Sequence, residues 1–169
     1  MGWSSGCGFD PGIGRGFGVV KDSDRERFDE LLDDVVATLP PGVTELFEEK
    51  PLVVEDRPTL AMLRELGMAP IHRDEICGLH SGPMGPQQVL DASGDGDPAA
   101  EIGVIHIFRE GIVACAGGWT PWRERDEDGT EIEGGGEDLV REEIRITILH
   151  EVGHHFGLDE DDLEALGYD

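Results

Sequence analysis

The chain has 169 residues, 38 % of them hydrophobic and 30 % charged, with a formal net charge of −25. That length and apolar fraction suit one domain with a single core. So large a negative charge opposes binding to nucleic acid or to an anionic membrane surface, because both need positive potential.

No run approaches the roughly 18 apolar residues that span a bilayer. The N-terminus lacks the basic and apolar regions of a signal peptide. Cys7, Cys77 and Cys115 are odd in number, widely spaced and without a C-x-x-C pair. They predict reduced thiols and a cytoplasmic location.

Residues 1–20 carry the run Gly12-Ile13-Gly14-Arg15-Gly16-Phe17-Gly18, whose spacing is not a dinucleotide fingerprint. They are expected to form a flexible tail before a domain over 21–169. Phe28, Leu31, Leu32, Val35, Val36 and Leu39 recur at helical spacing. They predict an amphipathic helix from Asp22 to Leu39, capped by Asp22, Ser23 or Asp24 and ended by Pro40-Pro41-Gly42. Leu52 to Asp56 reads as a short strand closed by Pro58, and Thr59 to Gly67 as a small helix.

Residues 70–100 are expected to be loop-rich, with His72 and His80 on the surface. Asp91 to Asp97 has the spacing of a calcium loop, but its twelfth position is Ile102 where Glu is needed, so it reads as an acidic turn. Ile102–Phe108 and Ile112–Ala116 give the strongest strand signals, and Arg109-Glu110-Gly111 between them suits a hairpin. His106 falls inside the first, as a sheet-face or core histidine. Trp119 and Trp122 precede a very polar stretch to Gly136, which predicts a mobile loop, the tryptophans plugging the edge of the core.

The residues that carry chemistry lie near the C-terminus, in His150-Glu151-Val152-Gly153-His154-His155-Phe156-Gly157-Leu158-Asp159-Glu160. Ile144, Ile148 and Val152, flanked by Leu149 and Phe156, place this H-E-x-x-H sequence on an amphipathic helix. Residues four apart share one helix face, so His150 and His154 can offer imidazoles to a single ion. Glu151 projects beside them, where a carboxylate can take a proton from water activated by a metal. Gly157 suits a left-handed turn that ends the helix and brings the chain back. Glu160 is then the best-placed third ligand, with Asp159 and Asp161 as neighbours that could substitute. Asp161 also has a competing role as cap of a final helix. His155 lies about 100° around the helix from His154 and is expected to pack or to donate to a carbonyl.

The stretch from His150 to Leu158, its acidic turn and Leu163-Glu164-Ala165-Leu166-Gly167-Tyr168 resemble the small bacterial zincin-like metallopeptidases, which share the pattern H-E-x-x-H-x-x-G-x-x-D. Phe28–Pro40, Gly78-Leu79-His80-Ser81-Gly82 and the strand running into Phe108-Arg109 are similar to that family too. The resemblance covers most of residues 25–169 and is specific at the C-terminal motif. It implies a compact α+β domain in which a small mixed sheet is packed by a few helices, one of them carrying the zinc ligands. By position, His150 and His154 match the family's histidine ligands and Glu151 its general base. Glu160 stands where the family has Asp.

The expected activity is zinc-dependent hydrolysis of peptide bonds, on a peptide or protein substrate, by a monomer. Three alternatives differ in class or substrate. One is a zinc-binding regulatory module with little catalysis, which has no need of Glu151. A second is a peptidase dedicated to one partner. The third, a zinc endoribonuclease with similar ligand spacing, is opposed by Glu151, Glu160 and the charge.

Overall fold

The structure is a computed structural model and describes residues 3–4, 20–81, 103–126 and 128–166. Helix α1 (Asp22–Thr38) leads into α2 (Pro41–Glu49), strand β2 (Leu52–Glu55), α3 (Leu60–Glu65) and a 3-10 turn at Pro70–His72. Strands β3 (Gly78–Ser81) and β4 (Val104–Phe108) precede α4 (Arg109–Cys115). A hairpin of β5 (Trp122–Arg125) and β6 (Glu131–Gly134) leads to α5 (Glu137–His155) and α6 (Glu160–Leu166). The architecture is α+β, as expected.

The main sheet is mixed. Strand β4 is central, parallel to β2 and antiparallel to β3. A two-residue strand β1 (Trp3–Ser4) pairs antiparallel with the outer edge of β3. The Gly-rich run expected to be a flexible tail lies outside the described residues, as does the acidic turn at Asp91–Asp97.

The core lies between one face of the sheet and helices α1, α4 and α5. Phe28, Leu31 and Val35 of α1 meet Ile105 and Ile107 of β4, Ile112 of α4, and Val140, Ile144 and Ile148 of α5. A smaller cluster on the other side joins Leu63, Ile76, Leu79 and Phe108. Side chains alternate across a strand. Leu79 serves the smaller cluster, so Gly78 and His80, opposite Ile107 and Ile105, face the main core and α5.

The first helix and the strand at 52–55 stand where the sequence put them, although α1 is preceded by Lys21 without a side-chain cap. The diproline does not simply end α1, because Pro41 opens α2, a position where a missing N–H costs nothing. Thr59 caps α3 by accepting from the Met62 N–H at 3.2 Å.

Two expectations are corrected. Residues 112–115 continue helix α4 instead of forming the second strand of a hairpin. A short apolar run does not separate buried strand from buried helix by pattern alone. Here the Glu110 N–H donates to the Asp56 carbonyl at 3.0 Å, and the Arg109 guanidinium is held by Asp29 at 2.7 Å and Asp56 at 3.3 Å. These bonds fix the first turn, and Ile112 and Ala116, four apart, then reach the core together. The polar stretch after Trp122 is likewise a hairpin rather than a mobile loop. Its strands alternate charges: Arg123 meets Glu133 and Arg125 meets Glu131 directly across the ladder, each at 2.8 Å. Cross-strand pairs of this kind specify register without an apolar face. Trp119 packs at the edge of the main core, under the Arg27 guanidinium.

Candidate metal centre

Helix α5 presents the motif from its last two turns, anchored in the core by Val140, Ile144, Ile148 and Val152. On its other side Thr147, His150, Glu151 and His154 are all buried. The His150 and His154 rings meet edge to face with centroids 4.6 Å apart, and their Nε2 atoms are 3.0 Å apart. His154 Nδ1 lies 3.2 Å from the Leu158 carbonyl. A carbonyl only accepts, so Nδ1 carries the proton in that bond and Nε2 keeps its lone pair. A second ring bond of this kind is the usual way a ligating histidine is oriented.

These residues fit a divalent ion. Zn–N bonds of about 2.0–2.1 Å at a tetrahedral angle place ligand nitrogens about 3.3 Å apart. The two Nε2 atoms stand close to that separation, and the backbone turn after the helix fixes one of the rings.

Glu151 is fully buried and runs against β3 at Gly78, where a Cβ would fall 2.6 Å from Glu151 Oε1 and 2.9 Å from Thr147 Cγ2. Only glycine leaves room for the carboxylate there. The sequence singles out Gly78 only within a stretch similar to the zincin-like family and gives it no role. The strand that carries it is four residues long and lies in a stretch read as loop, too short to show a period.

The end of α5 follows the expected form. Gly157 has φ 84°, and the Leu158 N–H returns to the Gly153 carbonyl at 3.1 Å. Helix α6 then folds back, with the fully buried Leu163 against Gly153. Its cap is Asp159, whose Oδ1 accepts from the Asp162 N–H at 3.0 Å. Asp161, expected in that role, is exposed one residue inside the helix. Glu160 is the first residue of α6, and its side chain lies outside the described residues.

The other histidines divide. His72 is exposed and pairs with Glu75 at 2.8 Å, as expected of a surface residue. His106 lies on a sheet face with Nδ1 3.0 Å from Glu55, also as expected. His80 is not on the surface: it is fully buried in β3, facing His155 with ring centroids 5.9 Å apart. A strand residue two along from Gly78 must point the same way, toward α5.

A second group of metal-ligating types gathers nearby. The sulfurs of Cys77 and Cys115 and a carboxylate oxygen of Glu143 lie within 4.8 Å of one another. Cys115 is disulfide-bonded, against the expectation of three reduced thiols. A sulfur in a disulfide is not a thiolate donor, so this group offers an ion fewer ligands than its residue types suggest.

The buried face of α5 thus offers an ion two imidazole nitrogens beside a carboxylate, with an acidic turn beyond. Residues 129–168 match the family model of zincin-like metallopeptidases. The resemblance read from the sequence is borne out over that stretch, and it suggests a metallopeptidase that acts on protein substrates. No curated protein matches the chain. Among the described residues, no helix is long and apolar enough to cross a membrane.

Proposed function

We propose that the chain is a zinc-dependent peptidase, with His150, His154 and Glu160 holding the ion and Glu151 as general base. The observation that carries this reading is Glu151 itself. A fully buried acid against the backbone of Gly78, on the helix that carries both imidazoles, has no need at a purely structural zinc site. That also disfavours the regulatory-module alternative.

Zinc held there would supply Lewis acidity and make the attacking water more acidic. Glu151 takes the proton of the attacking water on its carboxylate, which lies against the backbone of Gly78. The same carboxyl then delivers that proton to the leaving amine. His154, oriented by the Leu158 carbonyl, keeps its ring from turning away during the reaction.

Residues 112–115 are helical and offer an extended peptide no strand edge. In this reading an extended peptide pairs with the outer edge of β3, beside Glu151, where it replaces Trp3–Ser4. The support is that the chain's own Trp3–Ser4 pairs there.

The test is cleavage of casein and a peptide library by the zinc-loaded chain. Glu151→Gln is expected to lower kcat by about 10²–10⁴-fold while the metal stays bound. Equal cleavage by the variant would remove Glu151 from the chemistry. The same screen separates a general peptidase from one dedicated to a single partner.

A further inference from the structure

The metal motif leaves one set of buried polar groups unused. The chain has only two lysines, Lys21 and Lys50, among 38 acidic residues. Lys50 is nevertheless not on the acidic surface. It follows α2 directly before β2, is 9 % exposed, and its Nζ has no hydrogen-bond partner among the described residues. The ammonium lies against the backbone of Gly103, where a Cβ would fall 2.6 Å from Nζ. An acid close in sequence, Glu49, is exposed and makes no ion pair with it among the described residues.

The start of β2, the start of β4 and the end of β3 meet at this end of the sheet. That brings Lys50 near His80, which is 0 % exposed with neither ring nitrogen hydrogen-bonded among the described residues. His155, the last residue of α5, stands 5.9 Å from His80 between ring centroids, and its Nδ1 also lacks a partner among the described residues. Burial and then the charge of Lys50 push both imidazoles down, His80 to about 4. Each imidazole carries at least one ring N–H to donate, whatever its protonation state.

The Lys50 amine and two imidazole N–H groups are gathered here with no anionic partner among the described residues. Leaving them unmatched in the interior costs free energy that one anion would offset through charge-assisted bonds. His155 adjoins His154, so this set lies beside the metal motif, and His155 is only half-buried, which gives it a route to solvent. The anion available to a peptidase is a carboxylate of its substrate.

We propose that Lys50, His80 and His155 form a carboxylate-binding subsite next to the metal centre, which takes a carboxylate of the peptide substrate. This rests on the peptidase reading for the identity of the ligand. It explains why one of two lysines in so acidic a chain is buried without a hydrogen-bond partner among the described residues. It also makes the enzyme selective for peptides that place an acid a short distance from the scissile bond.

The two lysines make a direct test practical. The full-length, zinc-loaded Glu151→Gln chain, labelled with ¹³C-lysine, is titrated with N-acetyl peptides of neutral side chains, either as free acids or as C-terminal amides. A third peptide is amidated and carries an internal Glu. The expected result is that acid-bearing peptides move the Lys50 ε-CH₂ signal and leave Lys21 still, while the neutral amide moves neither. The response to the free acid against that to the internal Glu tells which carboxylate the subsite takes. Lys50→Met is expected to lose the preference for acid over amide, a difference of roughly tenfold in affinity. Equal binding of acid and amide, or a Lys50 signal unmoved by every peptide, would overturn the proposal. Binding is read without turnover, so absence of cleavage by the wild-type chain would count against the peptidase reading and leave this result standing.

Discussion

The carboxylate of Glu151 and the backbone of Gly78 are in such close contact that a Cβ at Gly78 would lie 2.6 Å from Oε1. The strand thus sets the position of the proposed base. Gly78→Ala is expected to force Glu151 aside and to cost about 1–3 kcal/mol in stability through overpacking. A displacement of about 1 Å in such a group lowers kcat by up to roughly 10²-fold. Zinc content should stay at the wild-type level, since the three atoms nearest to that Cβ position belong to Glu151 and Thr147 rather than to an imidazole. Unchanged kcat with full zinc content would show that Gly78 does not position the base.

The acidic turn after Gly157 separates a cap from a ligand. Asp159 caps α6 through its bond to the Asp162 N–H. Asp159→Ala is expected to cost about 1 kcal/mol in a denaturant titration and to retain zinc. Glu160→Ala is expected to weaken zinc binding sharply with little change in the stability of the zinc-free chain. Asp161→Ala should change neither. Loss of zinc in the Asp159 variant alone would move the third ligand there.

Glu143, one turn ahead of Thr147 on α5, is pushed up to about 7 by burial, with the charge of Glu142 adding to it. An acid whose pKa is raised by folding binds more protons in the native state between the two values. Its contribution to stability is full below its unfolded value of 4.5 and is lost as pH rises through about 7. Glu143→Gln is therefore expected to match the wild type near pH 4 and to become the more stable chain by pH 8. The gain is at most about 3 kcal/mol, reduced where solvent screens the charge. Urea titrations at pH 4, 6 and 8 check this, and a gap independent of pH would contradict it.

Features with a strong period or a fixed spacing were legible in the sequence. Helix α1, with six apolar residues on one face, and the motif helix with its Gly157 turn stand where their patterns put them. What the sequence hid depends on contacts between distant segments. Residues 112–115 become helix because Asp29 and Asp56, far away in the chain, bind the first turn of α4. The β5–β6 hairpin is held by cross-strand charges where a hydrophobic alternation is the usual sign. His80 looked like a surface histidine because nothing near it in sequence reveals that β3 lies under α5. Asp159, rather than Asp161, caps α6 because the chain leaves Gly157 two residues earlier than the Asp161 capping pattern assumed.

The claim on which the rest stands is that His150 and His154 hold a metal ion. The most direct test is the metal content of the purified full-length chain by mass spectrometry, with His150→Ala beside it. The account predicts about one zinc per wild-type chain and loss of it in the variant. A wild-type chain that retains no metal after zinc is supplied and the excess removed would contradict it.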